Sequence, residues 1–534
     1  MYHMPIQEPP EYANFTARIM EICSTRAPWH RRLWRAGTLQ VGRELRDESV
    51  RPGTPESAIA DLRKHCRHSL QTDNGIADRG QALGNLAGIK SGVTYSDHAW
   101  VSLREHLDRY NQDYLQTWAT AFDAAPDPDP RRRIDIEGAA RRITAHLLDA
   151  GMHKSSVYAW LRTIRDDLST TLSIGDFLRE ADARLKKPLK LYTFCVPVQS
   201  SPKFDGSGPP PGWLTAQQTT EWKAQYAAKA PGVSQQGSFL IEVSAHDINT
   251  AADRARTRIS NLATKLQLGA KKPITLNPSM WSKDKGNEFP AHATNRVINV
   301  HAFERLGHLH DLDTVDYITN TLALVQAVRT GPPHVAVVNG WAAIESLMVG
   351  PADEQDVIAA RRFALIVAAS MLRAELSWLS RSYANLHSGA AADEMRECSE
   401  NLDRAKLFQQ HLHNSPPLNL NAMDTLALNR VRPALANPRG EIEKITDILT
   451  REFTRLYRKR NMIVHGGQIQ ESSLHSLSET LAPLIGAGID RVVHVGLKHN
   501  VRPIELSAIA ETRTHYLAPS TSTDAGKLLE LLEF

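Results

Sequence analysis

Apolar residues spaced three and four apart recur along most of this chain, the period of helices that bury one face. The clearest case is Ile442, Ile445, Ile448, Leu449, Phe453, Leu456 and Tyr457. This amphipathic helix runs into Arg460-Asn461-Met462-Ile463-Val464-His465 and meets a stop signal at Gly466-Gly467. Similar spacing predicts helices over 56–70, 98–122, 155–168 and 174–185. It returns over 315–329, 334–349, 356–380, 403–412, 422–435 and 441–464, with more after 473. Apolar and β-branched runs predict strands at 189–198 and 239–243, with short candidates at 274–276, 297–300 and 492–495. Asp247 is placed to cap a helix over 250–266.

Breaks in this pattern divide the chain. Proline alternates with aspartate over 125–130, and Pro, Gly and Ser crowd 200–213 as a loop. The expected organisation is a helical N-terminal domain over 1–125, a second helical segment over 131–187, and a small α/β domain over 188–302 suited to sensing. A helical domain over 312–515 and a C-terminal tail over 516–534 follow. The fold class is therefore mainly α.

With 534 residues the chain exceeds one ordinary core, and 42% hydrophobic with 23% charged residues is a globular composition. No run approaches 18 apolar residues, so no membrane partner is expected. Residues 1–10 lack the basic and apolar regions of a secretion signal. Cys23, Cys66, Cys195 and Cys398 are too scattered for a zinc site or disulfide framework, which fits a reducing, cytoplasmic setting. No Gly-rich phosphate loop is present and no cofactor is expected. His301, His308, His310 and Asp311 form the densest histidine group and read as exposed turn residues, so no metal site is assigned.

Lys and Arg total 63 against 59 Asp and Glu, a net charge of +4 that does not announce a nucleic-acid partner. Local clusters carry more information. Residues 451–460 hold Arg451, Arg455, Arg458, Lys459 and Arg460 against only Glu452. They form either a solvated helix face or an RNA track. Arg26 to Arg35 interleaves basic residues with Trp29 and Trp34. An amphipathic helix packing both tryptophans is the plainer reading there, and base stacking with phosphate contact is the other.

At about 100° per residue, Arg460 and His465 stand about 140° apart on a helix, while Asn461 and His465 share a face. A guanidinium that holds phosphate and an imidazole that moves a proton suit phosphodiester cleavage if a second surface closes over both.

Arg460-Asn461 with His465 at a helix end resembles the R-x4-H signature of the HEPN superfamily, in its Apea-like branch. Asn339-Gly340-Trp341-Ala342-Ala343-Ile344-Glu345-Ser346-Leu347 is similar to that branch's early helix, with its Trp and Glu. The resemblance covers 312–515. It implies a HEPN-like helical bundle acting as a metal-independent endoribonuclease, completed when two copies of the motif meet in a homodimer or higher homo-oligomer. By motif position, Arg460 would bind phosphate, His465 would act as general acid or base, Asn461 would orient the phosphate or the His, and Glu345 would hold Arg460 or polarise the site. The RNA 2′-OH would attack phosphorus and leave a 2′,3′-cyclic phosphate, so DNA would not be cut. Antiphage defence by abortive infection, or toxin action, is the implied setting. The N-terminal regions would then sense a phage-derived or nucleic-acid trigger. Alternatives are a non-catalytic HEPN adaptor that binds nucleotide or nucleic acid, and a DNA-binding regulator working through Arg26 to Arg35.

Overall fold

A computed structural model describes residues 10–33, 35–124, 129, 133–166, 173–200, 204, 208–230, 232, 235–269, 275–284, 286–292, 295–412, 418–466, 472–517 and 524–533. The described residues are mainly helical. The chain divides into two compact units. The first comprises Met1–Asp149, Leu161–Leu178 and Arg296–Phe534; the second comprises Ala150–Trp160 and Arg179–Asn295.

The first unit is built around the helix Ile358–Leu386, whose Phe363, Ile366, Leu372, Leu376 and Leu379 are buried. We call it the central helix. Against it packs the motif helix, Pro438–Gly466, with the Phe363 and Phe453 rings edge to face at 5.2 Å. The early helix, Pro333–Met348, starts with proline in its first turn, where no backbone N–H is required. Its Trp341 is fully buried, with its ring 4.8 Å from that of Tyr457 on the motif helix. The helix Ser472–His499 closes this core. Among the described residues, it and the central helix are the two apolar enough to span a bilayer, and both are mostly buried in the bundle.

The N-terminal helices Pro10–Cys23, Thr38–Ser49, Glu56–Thr72, His98–Asp123 and Ile136–Asp149 belong to this same unit. The expected separation into 1–125 and 312–515 is therefore replaced by one body, and buried charge joins its parts. Arg31 Nε donates to Glu375 at 2.7 Å, and its guanidinium also faces Glu21 at 3.1 Å and Asp424 at 3.4 Å. Burial alone would raise the Glu375 carboxyl, but His30 and Arg31 hold it below the usual carboxylate range. Arg31 sits in a single 3₁₀ turn, Trp29–Arg31, so the amphipathic helix expected over 26–35 is not formed. Its buried arginine needs carboxylates from distant helices rather than solvent. Trp34 lies outside the described residues.

Three further expectations are corrected in this unit. The apolar run at Val492 and Val495 lies within Ser472–His499; it is apolar on every side because that helix is buried, not because it is a strand. The expected tail contributes Leu528, Leu529, Leu531 and Leu532 to the core. Val297 and Val300 form no strand, and Ile274 lies outside the described residues.

The second unit contains an antiparallel sheet. Its strands are β1 (Lys190–Val198), β2 (Trp213–Thr215), β3 (Gly237–Ala245), β4 (Ser279–Ser282) and β5 (Glu288–Pro290), ordered β2-β3-β1-β4-β5. β1 and β3 pair along their whole length, from Lys190 opposite Ala245 to Val198 opposite Gly237. Alternation sends Phe194 and Val196 to one face, where Ala251, Ala252, Ala255 and Ile259 of the helix Ile248–Gly269 cover them. Cys195 points the other way, toward Trp222 and Trp281. Asp247 caps the helix as expected, its Oδ1 accepting from the backbone N–H groups of Asn249 and Thr250 at 2.9 Å.

Candidate functional site

The motif helix ends at Gly466, so Arg460, Asn461 and His465 all ride on its last two turns. Arg460 and Asn461 are half-buried and His465 is exposed. Arg460 Nη1 donates to Asn461 Oδ1 at 2.9 Å, which fixes the guanidinium along the helix surface. Glu345 projects from the early helix one turn after Trp341, the residue that packs on Tyr457. Burial, then repulsion from Asp356, raise its carboxyl above the ordinary range, while Arg460 pulls it back down. Asp356 stands just before the central helix. Three elements thus bring Glu345, Asp356 and Arg460 into one electrostatic group, while the exposed His465 stands about 140° further round the motif helix from Arg460. Asp356 was not singled out in the sequence, because the chain places it over one hundred residues from the motif.

The basic run divides by helical position. Steps of seven residues put Arg451, Arg458 and His465 nearly on one line, drifting about 20° per step. Arg451 and Arg458 keep partial exposure, with Arg458 3.4 Å from Asp61. Arg455 and Lys459 face inward and are 5% and 2% exposed. Arg455 Nε donates to Glu44 at 2.7 Å and reaches Glu452 at 3.5 Å, while Lys459 Nζ lies 3.9 Å from Glu44. The expected RNA track of four cations is corrected accordingly: Arg455 and Lys459 are neutralised inside the protein, leaving Arg451 and Arg458. Burial favours a neutral Glu44, yet Arg455, Lys459 and Arg458 lower its carboxyl to about 2. Glu452 is itself buried and accepts from the Ala36 backbone N–H at 2.9 Å.

The N-terminal helices also reach the motif. Arg51 Nη2 donates to the Asn461 carbonyl at 3.2 Å, within the last two turns of the helix. His65, on Glu56–Thr72, is pushed down to about 3 by burial and then by Arg451 and Arg458, so it is neutral beside the cationic stripe. Nothing in the local sequence around Glu44, Arg51 or His65 signals these roles. Among the described residues, no three His, Cys, Asp or Glu side chains group as metal ligands; His308 pairs with Asp311 at 2.6 Å. No family model, curated protein or solved structure matches the chain.

Proposed function

We propose that the end of the motif helix is the centre of a HEPN-type endoribonuclease that cleaves RNA without a metal ion. The observation that supports this best is the grouping of Glu345 with Arg460 of the helix whose last turn carries the exposed His465. Arg460 binds a non-bridging phosphate oxygen and stabilises the charge that builds on phosphorus. Its orientation is set by Asn461 and by Glu345. His465 takes the proton from the 2′-OH as the 2′-oxygen attacks phosphorus. The P–O5′ bond breaks, and the leaving oxygen takes up a proton. The products are a 2′,3′-cyclic phosphate and a 5′-OH.

One histidine is poorly placed to serve as both base and acid, since the two oxygens lie on opposite sides of phosphorus. A homodimer supplies a second His465. Val464 and Ile358, 49% and 38% exposed beside the motif and Asp356, give such an interface apolar contacts. In this reading the helices Thr38–Ser49 and Glu56–Thr72 hold the motif helix through Glu44, Arg51 and Asp61, and a phage-derived or nucleic-acid trigger releases or reorients them in an antiphage defence or toxin role.

The test is sequencing of RNA ends from phage-challenged cells carrying wild type or His465→Ala. Cyclic-phosphate ends confined to the wild type support the reading. Equal end profiles, with a phage that the wild type restricts, favour a non-catalytic adaptor, for which the short stripe of Arg451 and Arg458 serves as a phosphate contact.

A further inference from the structure

A cavity of about 530 Å³ opens in the helical unit, away from the motif. Its walls come from the turn at 25–32, the second half of the central helix, and the middle of Ser472–His499. Arg373 lies fifteen residues beyond Ile358, so at 1.5 Å per residue this region is about 22 Å along the central helix from its Asp356 end.

Six arginines line the cavity: Arg26, Arg32, Arg305, Arg373, Arg381 and Arg491. Against them stand two carboxylates, Glu304 and Asp490. Asp490 is already engaged, accepting from the Ala302 N–H at 2.7 Å and from Arg305 at 2.8 Å. Arg32 is held by the carbonyls of Ala27 and Thr25, and Arg381 bonds to Asn401. Glu533 ion-pairs with Arg373 and lies 2.9 Å from Arg491. Positive charge still exceeds negative. Arg491 is 5% exposed, yet its Nε has no hydrogen-bond partner. A buried donor in that state is costly unless a ligand accepts from it.

The surrounding groups register the excess. Burial and then Arg305 lower Arg373 to about 10; burial and then Arg373 lower Arg491 as well. Burial, followed by Arg491 and Arg305, brings His494 down to about 3. Two indoles complete the wall: Trp378 is 37% exposed and Trp29 is half-buried. Arginine forks suit phosphate oxygens, and indole faces suit a planar base.

We infer that this cavity is a binding site for a nucleoside polyphosphate, its phosphates held by the arginines and its base against the tryptophans. The volume falls in the range of small-molecule sites and fits one mononucleotide. The site also gives a role to the basic and aromatic stretch at 26–32, which the motif end does not use.

The experiment is titration calorimetry of the full chain with each of the four ribonucleoside triphosphates, and with adenosine and inorganic tripolyphosphate as probes of the two halves. Arg26→Ala and Arg381→Ala change exposed side chains, and melting curves verify that both variants fold. At least one triphosphate binds the wild type, and each arginine change weakens it roughly tenfold. Trp378→Ala weakens the triphosphate but leaves tripolyphosphate unchanged. Absence of binding by all four triphosphates at about 1 mM, a concentration that detects even weak sites, overturns the inference. So does binding indifferent to these variants, or tripolyphosphate binding as tightly as any triphosphate. His465→Ala should retain full affinity, which separates this site from the proposed nuclease centre.

Discussion

Arg455 Nε donates to the Glu44 carboxylate across 2.7 Å, although the two residues stand 411 positions apart in the chain. Both are nearly inaccessible to water, at 5% and 3%. Removing one partner leaves the other charged and buried, a far larger cost than losing a surface pair. Glu44→Gln is expected to destabilise the protein by about 3–5 kcal/mol in denaturant melts. Adding Arg455→Met should recover part of that loss. If the single variant melted like wild type, the pair would not be holding the helices together.

The same carboxylate sets an acid limit. Glu44 has its folded-state value lowered from 4.5 to about 2, so its stabilisation is complete above the unfolded value and is lost as pH falls through the folded one. Asp149 has the opposite sign. Burial, with a contribution from Glu44, raises it from 3.8 to about 6, so its contribution is full below 3.8 and is lost as pH rises through 6. Asp149→Asn should therefore raise the melting temperature at pH 7.5 and make little difference at pH 4. Glu44→Gln should flatten the wild-type loss of stability between about pH 5 and pH 2.

Most long helices were legible from periodicity. The pattern over 98–122 became His98–Asp123, and that over 441–464 became Pro438–Gly466. The three-residue strands Trp213–Thr215 and Glu288–Pro290 were not, because a period of two cannot declare itself in so few positions. At the site, Arg460, Asn461 and His465 were visible as a motif. Which neighbouring cations were interior was not visible, since a helix of alternating charge reads as solvated until its partners are known. Glu44 decides the fate of Arg455 and Lys459 from the far end of the chain.

Gly488 tests the packing of the core. A Cβ there would sit 2.3 Å from Phe363 Cζ, and Phe363 is fully buried against Phe453. Gly488→Ala should cost about 1–3 kcal/mol, because the ring has no free volume to enter. Unchanged stability would mean that the two helices separate more readily than their contact implies.

His465 is exposed and Arg460 half-buried, so neither carries the core. His465→Ala and Arg460→Ala should keep the wild-type melting temperature while lowering RNA cleavage by roughly 10²–10⁴-fold. Glu345→Gln should lower activity less and shift its acid limb, because the raised Glu345 carboxyl must ionise to hold Arg460. Pre-steady-state cleavage across pH measures both effects. A Glu345→Gln profile superimposable on that of the wild type would remove Glu345 from the centre.

The buried arginine at the N-terminal turn bears on how the protein is made. Arg31 and its partner Glu375 are separated by 344 residues. At a synthesis rate of about 5–20 residues per second, Arg31 waits roughly 20–70 s on the ribosome for that carboxylate to be made. The N-terminal helices therefore emerge with a charged side chain that their own segment cannot fully bury. Their completion waits for the second half of the chain, which makes the nascent N-terminal half a natural client for chaperones and a point where slowed translation would lower yield.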